Sequence, residues 1–482
     1  MKKNFIYNLI YQILILIIPL ITIPYVSRVL GAEGIGVYSY TYSIVYYFML
    51  VAMLGINNYG NRTIAKIRDN KEELSKNFLG IYIVQLITAF IMSVTYLIYI
   101  FVFDNQYREI ALIQTIYIFS AMFDVNWFFF GIEKFKLTIT RNSIVKILSL
   151  ILIFLFVKEK NDIYIYTLIL AGSTLLSNVF LISFIRKYIH FTKLIKKDII
   201  KHIKPCIVMF LPVIAVSIYK IMDKIMLGAI SNMTEVGYYE NAEKTTQIPL
   251  VIITALGTVM LPRASKMLSN GEEETLKVLI GKSMKFVMFL VFPIMLGIIC
   301  ISKDFSILFF GSEFEKSGIL IQYLAITILF LSFGNVIRTQ YLIPKEKDKE
   351  YIISPLLGAV VNLILNFIFI PMYGALGACY GTVLAEFVVV FYQTMKVRKE
   401  LRIIKYIKDA IPFLIKALIM FVVIISFNKL GISSIEKIII QIVVGTLLYI
   451  ILNIKYINQT IGIKRLFHKY IKKEVWECLN IF

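Results

Sequence analysis

The sequence predicts an all-α, polytopic membrane protein with about 14 transmembrane helices, arranged as two pseudo-symmetric six-helix lobes plus two C-terminal helices. Three observations support this fold class. Apolar segments of membrane-spanning length recur along the 482 residues, Lys and Arg concentrate in alternate loops, and one helical hairpin is repeated further along the chain. Hydrophobic residues make up 59% of the chain and the mean hydropathy is +0.79, whereas soluble domains are about 45–50% apolar.

The apolar segments are counted as spans because about 20 helical residues, each rising about 1.5 Å, cross a hydrocarbon core of about 30 Å. The fifth segment is short and the tenth contains Arg338, so twelve or thirteen spans are the alternative count. In chain order the predicted spans are 8–30, 36–58, 77–102, 109–131, 142–157, 163–185, 205–229, 237–261, 283–302, 318–342, 351–371, 375–395, 409–428 and 434–454.

The loops between these spans alternate in charge. Of the 51 Lys and Arg residues, 39 lie on the side of the N-terminus and only eight lie in loops on the opposite side. Because cytoplasmic loops of membrane proteins collect Lys and Arg, both termini are predicted to be cytoplasmic in a multi-pass protein of the cell (plasma or inner) membrane. The same distribution explains the formal net charge of +21, so nucleic acid is not predicted as a partner.

The hairpin formed by the first two spans is repeated in the seventh and eighth. Leu-Gly-Ala follows the first span at 30–32 and the seventh at 227–229, and Gly36 and Gly237 open the next spans. Six spans separate the copies, so both enter the membrane from the same side, as in a parallel repeat.

The repeat defines the predicted domains. Residues 1–200 form an N-terminal lobe of spans 1–6, and residues 201–403 form a C-terminal lobe of spans 7–12. Residues 404–482 add two spans and a basic cytoplasmic tail. Two similar bundles around a charged cavity favour transport by alternating access, in which one lobe moves against the other.

Ionisable side chains within spans are costly in hydrocarbon, so they are candidates for function. Lys220, Asp223 and Lys224 share one helical face of the seventh span, at i, i+3 and i+4. The predicted substrate-binding cations of the cavity are Arg28, Lys220, Lys224 and Lys244, and the predicted gate or coupling acids are Asp124, Asp223, Glu240 and Glu243.

Structural explanations stay open for several of these residues. Glu240 and Lys244 could neutralise each other as an i, i+4 pair, and Lys224 could extend its amine to the headgroups. Arg28 could be an interfacial anchor. Asp124 could bind a coupling proton or cation, or could hydrogen-bond to a neighbouring helix.

Features of an enzyme are missing from the sequence. It has no P-loop, no Ser/His/Asp grouping and no spacing typical of metal ligands, and its predicted outside loops have only about four to fifteen residues. No catalytic residue, metal or cofactor is therefore predicted. The aromatic run at 127–130 is interpreted as part of an interfacial belt.

Several motifs resemble those of the polysaccharide repeat-unit (O-antigen or capsule) flippases, which belong to the multidrug/oligosaccharidyl-lipid/polysaccharide (MOP) exporter superfamily. The similarity covers nearly the whole chain. The motifs are PLITIPYVSRVLG at 19–31, GIGVY at 34–38, GNR at 60–62, DVNWFFFGIEKF at 124–135 followed by Arg141, and PMYGALGA at 371–378.

The resemblance implies that the protein moves an undecaprenyl-pyrophosphate-linked oligosaccharide from the cytoplasmic to the outer leaflet for polysaccharide biosynthesis. The negative pyrophosphate would meet Arg28, Lys220, Lys224 and Lys244 in the cavity. Coupling to H⁺ or Na⁺ and a polysaccharide polymerase as a partner are further expectations. A multidrug or cation antiporter of the same superfamily, or a membrane-embedded enzyme or scaffold for envelope polymers, is the alternative.

Overall fold

The computed structural model describes residues 2–103 and 106–461, and the end of the predicted basic tail lies outside them. The described part of the chain is helical, with no strand. Its helices are α1 (Lys2–Met53), α2 (Ile56–Ile67), α3 (Lys71–Phe103), α4 (Arg108–Met122), α5 (Asn126–Gly131), α6 (Phe135–Phe156), α7 (Ile163–Ile182), α8 (Lys196–Ile230), α9 (Met233–Ser269), α10 (Glu273–Phe310), α11 (Glu315–Ile337), α12 (Asp348–Tyr373), α13 (Ala375–Val397), α14 (Ile403–Ser426), α15 (Ser434–Leu452) and α16 (Ile454–Ile461).

Within the described residues, 12 helical segments are long and apolar enough to cross a membrane. One of them, Ile17–Ile67, has 51 residues and contains the predicted spans 1 and 2. The predicted seventh span lies in α8, which is not among the 12. The protein is therefore a multi-pass membrane protein, as predicted, while the count of 14 stays a prediction.

Two polar residues show how the sequence starts these helices. The Oδ1 atom of Asn70 accepts hydrogen bonds from the backbone N–H groups of Glu72 and Glu73, at 3.1 and 3.2 Å, and so caps α3. Ser433 accepts from the backbone N–H of Glu436 at 3.3 Å, and the Glu436 carboxylate accepts from Ser433 N at 3.1 Å. This reciprocal capping box satisfies N–H groups that have no partner inside α15.

The third helix has a periodic apolar surface that fits a membrane protein. Ile87, Phe90, Val94, Ile98 and Phe101 are all exposed. They follow one another at intervals of three or four residues, so they form one continuous face of the helix. An apolar face of this extent is stable in contact with lipid and unfavourable in contact with water.

The chain divides into two compact units. The first comprises residues 1–248, 309–320 and 352–389, and the second comprises 249–308, 321–351 and 390–482. Within the second unit, Arg338 does not interrupt the tenth span, because α11 continues into a π-helical turn at Arg338–Leu342. The lobe boundaries at residues 200 and 403 stay a prediction.

The aromatic run after Asp124 belongs to the core of the first unit. Trp127 is 1% exposed, and Phe128 and Phe129 are fully buried. The indole N–H of Trp127 donates to Gln85 Oε1 at 2.9 Å, and its ring stacks on Phe78. The interpretation of this run as an interfacial belt is therefore wrong. The helix is interrupted between α4 and α5, and after this interruption Trp127, Phe128 and Phe129 point into the core, while Phe130 is 37% exposed.

Candidate functional site

Two helical hairpins of the first unit contact each other through their backbones. The first hairpin consists of the two arms of α1, which bends at Gly31, where φ is +71°. The second hairpin consists of α8 and α9 up to residue 248. A Cβ atom on Gly36 would lie 1.7 Å from the carbonyl oxygen of Met233, and one on Gly237 would lie 1.9 Å from that of Ala32. Only glycine allows such an approach at either position.

This contact is reciprocal under a fixed offset in sequence. Ser39 Oγ donates to Glu240 at 2.8 Å, and these residues are 201 positions apart, as are Gly36 and Gly237. Gly237 is 201 positions after Gly36, and Met233 is 201 positions after Ala32. The contact of Gly36 with Met233 and that of Gly237 with Ala32 are therefore equivalent. The two hairpins therefore meet as equivalent copies, as expected for the duplication inferred from the sequence.

A further pair of contacts obeys the same offset. Asn241 Nδ2 donates to Ser27 Oγ at 2.9 Å. At the equivalent positions, a Cβ on Gly228 would lie 2.2 Å from the ring of Tyr40. The small residues Ser27 and Gly228 thus receive a larger side chain from the opposite hairpin in both copies.

Four charged side chains of the second hairpin form one ionic network. Lys224 Nζ on α8 lies 2.7 Å from Glu240 and 3.0 Å from Glu243, both on α9. Lys244 Nζ lies 2.8 Å from the second carboxylate oxygen of Glu240. The side chains of Lys224 and Glu240 are only 15% and 10% exposed. Two cations and two anions cancel, so the ionic network carries no net charge.

Asp223 belongs to a separate network that is built from hydrogen bonds. Its carboxylate accepts from the Tyr239 hydroxyl at 2.7 Å, from the Thr382 hydroxyl at 2.7 Å and from Asn366 Nδ2 at 2.6 Å. Asp223 is 2% exposed. A buried carboxylate needs such donors because it has lost its hydration. The Asp223 network ties α8 to α9, α12 and α13 within the first unit.

Lys220 and Arg28 differ from the other predicted cations. Both are exposed, and Lys220 takes no part in either network of the described residues. The side chain of Arg28 lies beside Gly311. Of the four predicted substrate-binding cations, the structure therefore brings together only Lys224 and Lys244, and it joins both to Glu240.

Asp124 lies elsewhere in the first unit, at the edge of a polar cavity. Its Oδ1 atom accepts from the backbone N–H of Asn126 at 3.0 Å and from the side-chain amide of the same residue at 2.6 Å. Asn126 in turn accepts from the guanidinium of Arg141 at 2.9 Å, and Arg141 also donates to the carbonyl of Ser177 at 2.9 Å. Asp124 thus shapes the break between α4 and α5 as well as facing the cavity.

This polar cavity has a volume of about 600 Å³. That size is typical of sites for small molecules, and most of the cavity surface is apolar, as is usual in such sites, with polar side chains set into it. The charged residues of its lining are Asp124, Arg141 and Lys146, which give a net charge of +1. Its other polar side chains are Thr22, Tyr46, Asn57, Ser120, Asn126, Asn142, Ser149, Tyr166, Ser173, Thr174, Ser177 and Asn178. The hydroxyl and amide groups can hydrogen-bond to a hydroxylated ligand.

A short segment, which we term the strap (residues 311–317), joins the ends of the two hairpins. Glu313 Oε1 accepts from the backbone N–H of Ala32 at 3.2 Å. On the second hairpin, Lys316 forms an ion pair with Glu235, and Ser317 donates to the carbonyl of Tyr238 at 3.0 Å. The strap therefore holds both hairpin ends in the described conformation.

A family profile described as "Polysaccharide biosynthesis protein" matches residues 1–268, more than half of the chain. The chain belongs to this family. A Shigella dysenteriae protein named "Putative O-antigen transporter" is 26% identical over 403 residues, which cover 83% of this chain and 100% of the relative. The Staphylococcus aureus "Capsular polysaccharide biosynthesis protein CapF" is 21% identical over 397 residues, covering 80% and 97% of the two chains.

The fold of this chain is similar to the folds of solved membrane transport proteins. The "Lipid II flippase MurJ, inward closed conformation" gives a TM-score of 0.75 at 18% identity, covering 96% of this chain and all (100%) of that chain. An inward-facing MATE family transporter of the MOP superfamily gives 0.59 at 15% identity, covering 79% and 98%. The predicted all-α membrane fold and the resemblance to MOP superfamily flippases are confirmed. The Shigella relative and both solved structures are named as transport proteins and not as enzymes.

Sequence reasoning missed several residues that complete these networks. Asn366 and Thr382 bind Asp223 from helices 143 and 159 positions away, and Ser39 binds Glu240 from the first hairpin. One signal was available, because Asn362 and Asn366 place two amides at i, i+4 in the apolar helix α12. Arg141 stood in a recognised motif, but its role in the cavity was not predicted.

Proposed function

We propose that this protein is a flippase that carries an undecaprenyl-pyrophosphate-linked oligosaccharide from the cytoplasmic to the outer leaflet of the cell membrane. The ionic network is the observation that carries the proposal. Four charged side chains within two predicted spans, close to the adjoining ends of α8 and α9, are costly unless a polar substrate or cavity requires them. The family and the named O-antigen transporter support a lipid-linked oligosaccharide as the substrate class.

In this proposal Lys224 exchanges partners during transport. In the described structure, the carboxylates of Glu240 and Glu243 pair with Lys224. A pyrophosphate carries a negative charge comparable to that of two carboxylates, in one compact group. Arrival of the pyrophosphate would replace Glu240 and Glu243 at Lys224, while Lys244, Lys220 and Arg28 provide further positive charge. The released carboxylates would then repel each other and the phosphates, which favours a change between inward-open and outward-open states.

The polar cavity is the proposed site for sugars of the oligosaccharide. Its hydroxyl and amide groups can exchange hydrogen bonds with sugar hydroxyls, and Arg141 fixes Asn126 in place. Asp124 is the proposed site for a coupling H⁺ or Na⁺, with Asp223, Glu240 and Glu243 as further gate or coupling acids. A polymerase acting on the outer leaflet would consume the transported repeat unit.

A leaflet assay in a deletion strain tests this function. Accumulated lipid-linked oligosaccharide is probed from outside with a membrane-impermeant glycosidase or lectin, and the gene should restore its exposure. Lys220→Ala combined with Lys224→Ala should abolish export while the protein still inserts into the membrane. Lys416→Ala is the matched control, since Lys416 lies in a membrane-length helix but contacts Asn453 at 3.2 Å and not the ionic network. Exposure of the glycolipid in the strain without the gene would disprove the proposal.

The three carboxylates Asp223, Glu240 and Glu243 favour one alternative, a multidrug or cation antiporter of the same superfamily. An antiporter of this kind would bind organic cations through acids that exchange protons. Efflux of a cationic dye from cells that express the protein, lost in Glu240→Gln, would support this alternative if the leaflet assay fails.

A further inference from the structure

The second helix, α2, has two faces with different surroundings. Ile56, Gly60 and Ile64 lie on its buried face. Because Gly60 has no side chain, the ring of Trp127 packs directly against its backbone. A Cβ atom at Gly60 would lie 2.4 Å from Cε3 of Trp127. Arg62 follows Gly60 by two residues, or about 200° around the helix, and is exposed. Packing of Gly60 against Trp127 therefore turns Arg62 outward.

Arg62 lines a groove between α2 and the start of α8, which we term the basic groove. Its volume is about 420 Å³. Arg62 and Lys66 lie one turn apart on α2, and Lys204 faces them from α8. These three cations are its charged residues, and the rest of its lining is Tyr59, Thr63, Ile67, Pro205, Val208 and Met209.

A neighbouring cavity shows that this positive charge is specific to the basic groove. It has a volume of about 520 Å³ and is lined by Glu72, Glu73, Lys76 and Lys201, together with two asparagines. Two acids balance two bases there. Lys201 in this cavity and Lys204 in the basic groove lie one turn apart on α8, so the two are adjacent. The cavity has no net charge, and the basic groove has a net charge of +3.

Between Lys204 and Leu211 the surface of α8 has no charged residue. Ile207, Val208 and Leu211 are 43%, 54% and 58% exposed. From Lys204 to Leu211 the helix rises about 10 Å. The basic groove therefore has positive charge at one end and leads to an exposed apolar track at the other, and this order matches the structure of a lipid with an anionic headgroup.

We propose that the basic groove binds an anionic phospholipid of the leaflet in which Arg62, Lys66 and Lys204 lie. The phosphate contacts the three cations, and an acyl chain lies along Ile207, Val208 and Leu211. Basic pockets between membrane helices bind anionic headgroups in this way, and a guanidinium can donate two parallel hydrogen bonds to a phosphate. This site is independent of the proposed transport function and distinct from the ionic network.

Native mass spectrometry of the purified full-length protein tests the site. The probes are phosphatidylglycerol, phosphatidylethanolamine with the same acyl chains, and undecaprenyl pyrophosphate. The wild type should retain phosphatidylglycerol over phosphatidylethanolamine, and each of Arg62→Gln, Lys66→Gln and Lys204→Gln should weaken this retention by about fivefold. Lys201→Gln is the matched control and should retain the lipid like the wild type. All four side chains are exposed, so the variants should elute as the wild type does in size-exclusion chromatography.

Three results would overturn the proposal. Equal retention of both phospholipids, or retention unaffected in a triple variant that combines Arg62→Gln, Lys66→Gln and Lys204→Gln, would show that the groove has no anionic lipid site. Undecaprenyl pyrophosphate that displaces a large excess of phosphatidylglycerol from the wild type, but not from the triple variant, would instead assign the groove to the transported lipid.

Discussion

The two hairpins of the first unit have equivalent backbones and different chemistry. Glycine, alanine and serine make the same contacts in both copies, at an offset of 201 positions. The 201-residue offset of these contacts differs by four from the 197-residue offset of the two Leu-Gly-Ala motifs. Under the offset of the contacts the charged residues have neutral counterparts in the first copy: Asp223 corresponds to Thr22, Lys224 to Ile23, Glu240 to Ser39, Glu243 to Tyr42 and Lys244 to Ser43. Both copies thus keep a small residue at Gly36 and Gly237 and at Ser27 and Gly228, while the charged residues of the ionic network and Asp223 occur only in the second hairpin.

The polar residues of the first copy also bond differently. Thr22 donates to the carbonyl of Ile18 at 3.0 Å, and Ser43 donates to that of Ser39 at 2.7 Å, both within their own helix. Asp223 and Lys224 are bound by other helices. Substitutions at Asp223 or Lys224 should therefore affect helix association, while substitutions at Thr22 or Ser43 should have local effects.

The largest effect is expected at the glycine contact, where the hairpins are alike. Gly36→Ala and Gly237→Ala should each destabilise the protein by roughly 3 kcal/mol, because the added Cβ forces the backbones apart. The effects should be equal, and thermal unfolding of the detergent-purified protein measures them. Gly172→Ala is the control, since a Cβ there meets nothing within 4 Å. Strongly unequal effects would contradict the equivalence of the two copies.

A nearly comparable effect is expected at Asp223. Asp223→Ala removes the acceptor of three buried hydrogen bonds and should destabilise the protein by on the order of 3 kcal/mol. Thr22→Val at the equivalent position should change stability by less than about 0.5 kcal/mol. The same unfolding measurement distinguishes them, and a large loss in Thr22→Val would show that the first copy also depends on this position.

The ionic network should show coupling between its members. Lys224→Met and Glu240→Gln should each cost about 2 kcal/mol, because each leaves a poorly hydrated charge without its partner. The double variant should be less destabilised than the sum, with a coupling energy of about 1–2 kcal/mol in a double-mutant cycle. Additive losses would mean that the two side chains do not interact in the protein.

The smallest effect is expected at the serine that joins the copies. Ser39→Ala removes a hydrogen bond to a carboxylate and should cost about 1.5 kcal/mol. Ser43→Ala removes only a bond within its own helix and should change stability by less than about 0.5 kcal/mol. Equal changes in melting temperature for the two variants would argue against the contact of Ser39 with Glu240.

The sequence was sufficient to predict features that depend on periodicity or on spacing along the chain. Membrane-length apolar segments predicted the helical membrane fold, and the spacing of Gly36 and Gly237 predicted the repeated hairpin. It also showed that Asp223 and Lys224 are adjacent on α8. Each of these inferences needs only residues on one element or a comparison of two similar segments.

Partners from distant elements could not be predicted in this way. Nothing along the chain indicates that Asp223 meets Asn366 and Thr382, or that Lys224 is neutralised by two glutamates while Lys220 is exposed. The aromatic run was misread because aromatic residues occur both at membrane interfaces and in helix cores. After the interruption between α4 and α5, most of these side chains point into the core. A single sequence gives the composition of such a run but does not show where its side chains point.

The close approach of the backbones at Gly36 and Gly237 also has a mechanical consequence, because two packed rods pivot about the place where they are closest, and that place acts as a fulcrum. Rotation of one hairpin against the other displaces each residue in proportion to its distance from the fulcrum. Glu240 lies about 4.5 Å along α9 from Gly237, and Ile248 lies about 16 Å away. A small rotation therefore hardly moves the carboxylate shared by Lys224 and Lys244, while it moves Ile248 on the same helix several times as much.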